Sequence, residues 1–212
     1  MKDFLNIQTN SQLQWQRLKF IIPSVVFGSA ILGTPVLAGA ATGSTTVSST
    51  LSSVISLLSS NGTVNANVTP TGSGAQTIAS DTVTVSTNDA AGYTLQLAET
   101  SASGNMVSGG NTIPASSGSQ TTPVAMSANT WGYRVDGVGG FGAGPTSTVN
   151  SAAISGTTKF AAVPATASPN TIKTTSGTAS NDTTTVWYGL AANTSQASGT
   201  YTNSVTYTVT AN

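Results

Sequence analysis

The chain predicts an all-β protein, an antiparallel β-sandwich of immunoglobulin-like type preceded by a hydrophobic N-terminal signal helix. Three observations predict it. Residues 82–87 (TVTVST) and 93–97 (YTLQL) alternate polar and apolar side chains, the period-two pattern of half-buried strands. Residues 201–209 (YTNSVTYTV) place Tyr201, Val205, Tyr207 and Val209 on one face in the same way. Gly, Ser, Thr and Asn clusters punctuate the stretches between, and no repeat of solenoid or propeller length is visible.

The N-terminus reads as an address. Lys2, Arg17 and Lys19 form a positive leader, and residues 20–32 (FIIPSVVFGSAIL) are apolar and uncharged. Pro35 then breaks the helix before Ala38-Gly39-Ala40, a small-x-small cleavage pattern that sets the mature start at Ala41. The uncharged run over 20–38 also approaches the ~20 residues that span a bilayer, so residues 1–40 are a signal peptide or an N-terminal membrane anchor. Both place the rest of the chain outside the cytoplasm, touching membrane only through 20–38 if the signal is kept.

Residues 41–62 form a Ser/Thr-rich segment or a first strand. Val47, Leu51, Val54, Ile55 and Leu58 fit helical spacing as well as extended spacing, and the Ser and Thr density favours the latter. The sandwich is expected over 63–212. Residues 64–70 (VNANVTP) read as a strand ending at proline. Residues 82–98 read as a hairpin turning at 88–92, with Val83, Val85, Tyr93, Leu95 and Leu97 in the core. Residues 104–123 and 150–159 are loop-rich. Residues 130–135 give a short strand with Trp131, Tyr133 and Val135 on one side, and 183–191 give another before a turn at 193–199.

Composition removes whole classes of chemistry. With neither His nor Cys, the chain has no Ser-His-Asp or Cys-His nucleophile system, no ordinary zinc or copper site and no disulfide. Beyond residue 40 only Arg134, Lys159 and Lys173 are basic, against Asp81, Asp89, Glu99, Asp136 and Asp182, a net of −2. Three scattered cations do not make a nucleic-acid surface. The acids sit in expected turns, apart from Glu99, where Asp commonly bonds local backbone. Neither an enzyme, a cofactor nor a bound metal is expected, although loop carbonyls with Asp89 or Asp182 keep calcium in view.

Four further features bear on function. Residues 137–142 (GVGGFG) match G-x-G-x-x-G, but Ala143-Gly144-Pro145 opposes the helix that a dinucleotide site needs, so they read as a flexible loop. Trp187 and Tyr188 must face opposite sides of a strand. Because Val186, Tyr188 and Leu190 form the apolar set, Trp187 is the candidate for a ligand or partner contact. Asn61, Asn67, Asn181 and Asn193 lie in Asn-x-Ser/Thr sequons, frequent by chance in such a composition. Lys159 and Lys173 read as solvating surface lysines, with an isopeptide crosslink as the alternative.

Three blocks carry a resemblance: 81–95 (DTVTVSTNDAAGYTL), 128–134 (ANTWGYR) and 199–208 (GTYTNSVTYT). Together they resemble a module of exported surface proteins of Gram-positive-type bacteria, Saccharibacteria among them. The chain is more loosely similar to WxL-type cell-surface domains, with WYGL at 187–190 in place of Trp-x-Leu. The resemblance implies a non-enzymatic cell-surface protein in adhesion or envelope structure, whose partners are cell-envelope components, glycans or copies of itself. A polymerising pilus or surface-layer subunit is the alternative, followed by a carbohydrate-binding module using Trp187.

Overall fold

The computed structural model describes residues 43–101 and 103–212. The signal helix and anchor expected over 1–40, with Ala38, Ala40 and Ala41, lie outside them. Among the described residues every regular element is a strand, and no helix is long and apolar enough to cross a membrane. The strands are β1 (Ile55–Ser59), β2 (Ala75–Thr87), β3 (Tyr93–Glu99), β4 (Met106–Ser108), β5 (Asn111–Ile113) and β6 (Val124–Ala125). Then come β7 (Thr130–Arg134), β8 (Val149–Ser151), β9 (Lys159–Phe160), β10 (Asn170–Thr174), β11 (Ala179–Ala192) and β12 (Val205–Ala211).

All ladders between these strands are antiparallel. The larger sheet runs β1-β2-β11-β7, with β8 also on β2, and a three-stranded sheet runs β10-β3-β12. Val83, Val85 and Val186 from the first meet Tyr93, Leu95, Leu97 and Ile172 from the second in one core. Val83, Val85, Leu95 and Leu97 are each 0% exposed, and each such side chain stabilises the fold by about 1.5–3 kcal/mol. Across the same gap the Tyr188 and Tyr207 hydroxyls lie 2.7 Å apart, joining the sheets by a polar contact.

The hairpin expected over 82–98 is corrected. Both strands form, with the expected core residues, but β2 and β3 belong to opposite sheets, and residues 88–92 arch between them. Period-two alternation fixes which face is apolar, not which strand lies alongside. Gly92 makes the arch feasible: its φ is +89°, and a Cβ there would sit 2.3 Å from the Thr175 carbonyl oxygen.

Other boundaries shift for identifiable reasons. The ambiguous 47–58 stretch resolves as β1 over its second half, while residues 43–54 have no ladder and are exposed. Residues 64–70 form no strand. Val64, Ala66 and Val68 turn inward, yet the polar contact recorded from a neighbouring strand to this run is Thr77 Oγ1 donating to the Asn67 carbonyl. The final strand starts at Val205, later than expected, with Thr206, Thr208 and Thr210 facing solvent. The loop-rich 104–123 region contains the β4–β5 hairpin.

A second layer covers the outer face of the larger sheet. Ile78, Trp187 and Ala191 pack there under Met126 and Phe160, the latter from the β6–β9 ribbon. Gly132 and Gly189 face each other directly in the β7–β11 ladder and leave the space this layer needs. A Cβ on Gly189 would meet Phe160 at 2.6 Å, and one on Gly132 would meet the Ala161 carbonyl oxygen at 2.5 Å.

Candidate functional site

The candidate site follows from two strands of unequal length. β11 spans 14 residues, but β7 spans five and pairs with it only over 187–191. Beyond Arg134 the chain turns away, leaving residues 183–185 of β11 without a neighbour on that side. A cleft of about 390 Å³ opens there, floored by Val135, Val138 and Ile172 and rimmed by Asp136, Lys173 and the threonines of 183–185.

Two register irregularities shape its rim. In β10 the pairing to β3 slips between Thr171 and Lys173, so Ile172 enters the core at 2% exposure while Lys173 stays opposite Leu95. In β11 the pairing to β2 slips between Ala179 and Asp182, where Asn181 takes φ +52°, a conformation Asn tolerates. The slips bring Lys173 of one sheet to Asp182 of the other, with Nζ 2.5 Å from Oδ1. Lys173 also donates to the Thr183 carbonyl, and Tyr93 donates its hydroxyl to Asp182 Oδ2. Burial alone would raise the Asp182 pKa, but the Lys173 and Tyr93 hydrogen bonds outweigh it and hold the carboxyl below its usual range.

The opposite rim is organised by Arg134, 1% exposed at the end of β7. Its Nε donates to Asp136 Oδ1 at 2.9 Å, and its other nitrogens donate to the carbonyls of Lys159, Phe141 and Gly142. The guanidinium also lies 5.9 Å from the Phe141 ring centroid. The 137–142 loop is thus wrapped around a buried cation, with Phe141 4% exposed. No helix follows it, and its glycines 137, 139 and 142 take positive φ to complete the turns.

One atom of the cleft lacks a partner. Thr184 lies opposite Val83 in the ladder and shares its inward face. The residue is 8% exposed, and its Oγ1 is buried with no hydrogen bond. An unsatisfied buried hydroxyl of this kind costs about 1–3 kcal/mol.

No family model, curated protein or solved structure matches this chain. The site therefore stands on its own geometry.

The structure places Trp187 away from this cleft and under cover. At 6% exposure beneath Met126 and Phe160, it presents no face for a sugar ring or a partner, which corrects the expectation of a contact there. The facing of 186–190 is as expected; what the local pattern could not show is that chain from 126 and 160 returns over the outer side. Asp81 is 2% exposed and accepts from Ser59 Oγ, Ser60 Oγ and the Asn61 amide, a closure of the β1 end rather than a reactive acid. Among the described residues no group of three His, Cys, Asp or Glu could hold a metal ion. A second cleft of about 330 Å³ borders Gln120 and Asn170. Its polar groups satisfy one another: Asn170 donates to the Tyr133 hydroxyl, which donates to Gln120. Lys173, Asp136 and Thr184 carried no motif in the sequence, because two strand slips and one short strand bring them together.

Proposed function

We propose that this is an exported, non-enzymatic bacterial cell-surface protein with an adhesive or envelope-structural role, built on a sandwich of immunoglobulin-like kind. The carrying observation is the leader at residues 1–40 ahead of a strand-built domain with little charge and no cysteine. Two sheets around one core, with a second layer on an outer face, support a fold held by packing alone outside the cell. Among the described residues Arg134 is held by its loop and Lys173 by Asp182, and Lys159 stands as a single exposed cation, which supports a surface without a basic cluster for nucleic acid. Labelling intact cells with a membrane-impermeant amine reagent tests the reading. Modification of the exposed Lys159 before lysis is expected, and modification only after lysis contradicts it.

A polymerising subunit is the second reading, favoured by a specific feature. β12 has a ladder on one side only, and Leu51, Val54 and Leu58 are exposed at 82%, 63% and 68% on and before the edge strand β1. Large assemblies in sedimentation that dissolve in Leu51→Lys/Leu58→Lys would favour it. A monomer at all concentrations would exclude it.

A further inference from the structure

We propose that two copies of this chain pair through β1, antiparallel about a two-fold axis at Ser56, so that their larger sheets run on into one. The contact is isologous and closed. It stands apart from the polymerising reading, which needs an open contact, and from where the protein works.

Three observations carry it. The first is an unprotected edge. Among the described residues β1 has a ladder on one side only, to β2. The Ser60 amide donates to the Thr82 carbonyl and the Asn88 amide to the Val54 carbonyl, so the even-numbered residues bond β2. In an antiparallel ladder the alternate residues turn their amides and carbonyls the other way, so Ile55, Leu57 and Ser59 offer theirs to the open side. Native sheet edges are blunted by charge, proline, a bulge or a cover. β7 is covered by backbone bonds between Tyr133 and Ala161, and β10 carries Lys173 and a register slip. β1 has no charge, proline or slip, and no charged residue lies between Lys19 and Asp81.

The second is what the edge displays. Val54 and Leu58 lie on the outer side, 63% and 68% exposed, while Ile55 and Leu57 on the inner side are only partly buried against the core. The third identifies the occupant. Residues 53–59 (SVISLLS) read serine, two apolar, serine, two apolar, serine, the same in both directions about Ser56. Antiparallel pairing centred on Ser56 sets each residue against its mirror image in the second copy. Val54 then meets Leu58 on the outer side and Ile55 meets Leu57 on the inner side, where the free amides and carbonyls of both copies bond one another. Centred on Ile55 or Leu57 instead, Val54 and Leu58 would each face a serine. The pattern therefore selects a second copy and one register.

The chain has no cysteine, so single cysteines in the full chain report the register on oxidation. Ser56→Cys lies opposite itself at a non-hydrogen-bonded pair, with Cα atoms about 4.5 Å apart, within reach of a disulfide. It should form a covalent dimer about tenfold faster than Ser198→Cys, an exposed control remote in sequence. Val54→Cys mixed with Leu58→Cys should crosslink about tenfold faster than either alone, because each lies about 13 Å along the strands from its own counterpart. Ser56→Lys sets two ammonium groups face to face and should slow that mixed crosslink about tenfold. Ser56→Cys no faster than Ser198→Cys, or Val54→Cys and Leu58→Cys indifferent to mixing, would overturn the proposal. Thr208→Cys crosslinking to itself in place of Ser56→Cys would also overturn it, by moving the contact to β12. Cell fractionation and sedimentation of large assemblies are separate readouts, so failure here leaves the surface and polymer readings untouched.

Discussion

Gly189 has a role that only its surroundings reveal. Opposite Gly132 in the ladder, it leaves the outer face flat enough for Phe160 and Met126 to descend onto it. Gly189→Ala should lower stability by about 1–3 kcal/mol, because the added methyl meets an aromatic ring within a packed layer. Gly156→Ala, with nothing within 4 Å of its new methyl, should stay within about 0.5 kcal/mol. Urea midpoints at unchanged m-value separate the two. The Lys173–Asp182 pair is about a third exposed, so its removal by Asp182→Asn should cost no more than about 1 kcal/mol. The folded-state pKa of Asp182 is depressed, so its contribution is present above the unfolded value of about 3.9 and lost as pH falls through the folded value. The difference between Asp182→Asn and the parent should therefore shrink on acidification. None of these roles was legible locally. Arg134 is buried because Phe141, Gly142 and Lys159 return to it, and Lys173 and Asp182 meet through slips that no residue pattern announces.

The strands were more legible than their pairing. Alternation identified the apolar faces of β2, β3, β7 and β12, since each buries one side against a shared core. It could not tell a hairpin from an arch, because both present the same face inward. Short ribbons such as β6–β9 were invisible: two-residue strands leave no period, yet this one covers Trp187. Phe160→Ala should strip that cover. A loss of about 3–5 kcal/mol is expected, together with a red shift in tryptophan emission as water reaches Trp187. A blue-shifted spectrum unchanged by the substitution would mean that the ribbon does not shield the ring. The candidate cleft is likewise a consequence of element length, as β7 ends where β11 continues.

Taken whole, the molecule stabilises its two sheets partly through buried tyrosine hydroxyls, and this gives it a pH signature. Burial pushes the Tyr133 phenol up to about 12, and burial raises Tyr93, Tyr188 and Tyr207 further. Groups raised in the folded state contribute stability that is whole below the unfolded value, about 10, and lost as pH rises through the folded values. The urea midpoint should therefore fall from about pH 10 upward, and steeply through about 12. A midpoint level to pH 12 would contradict burial of these hydroxyls. The role proposed for the molecule depends above all on where it is found. Cell fractionation with N-terminal sequencing tests that most directly. Recovery from the medium or the envelope, with a chain beginning at Ala41 or with residues 1–40 held in the membrane, is the expected result; recovery from the cytosol with Met1 intact would contradict it.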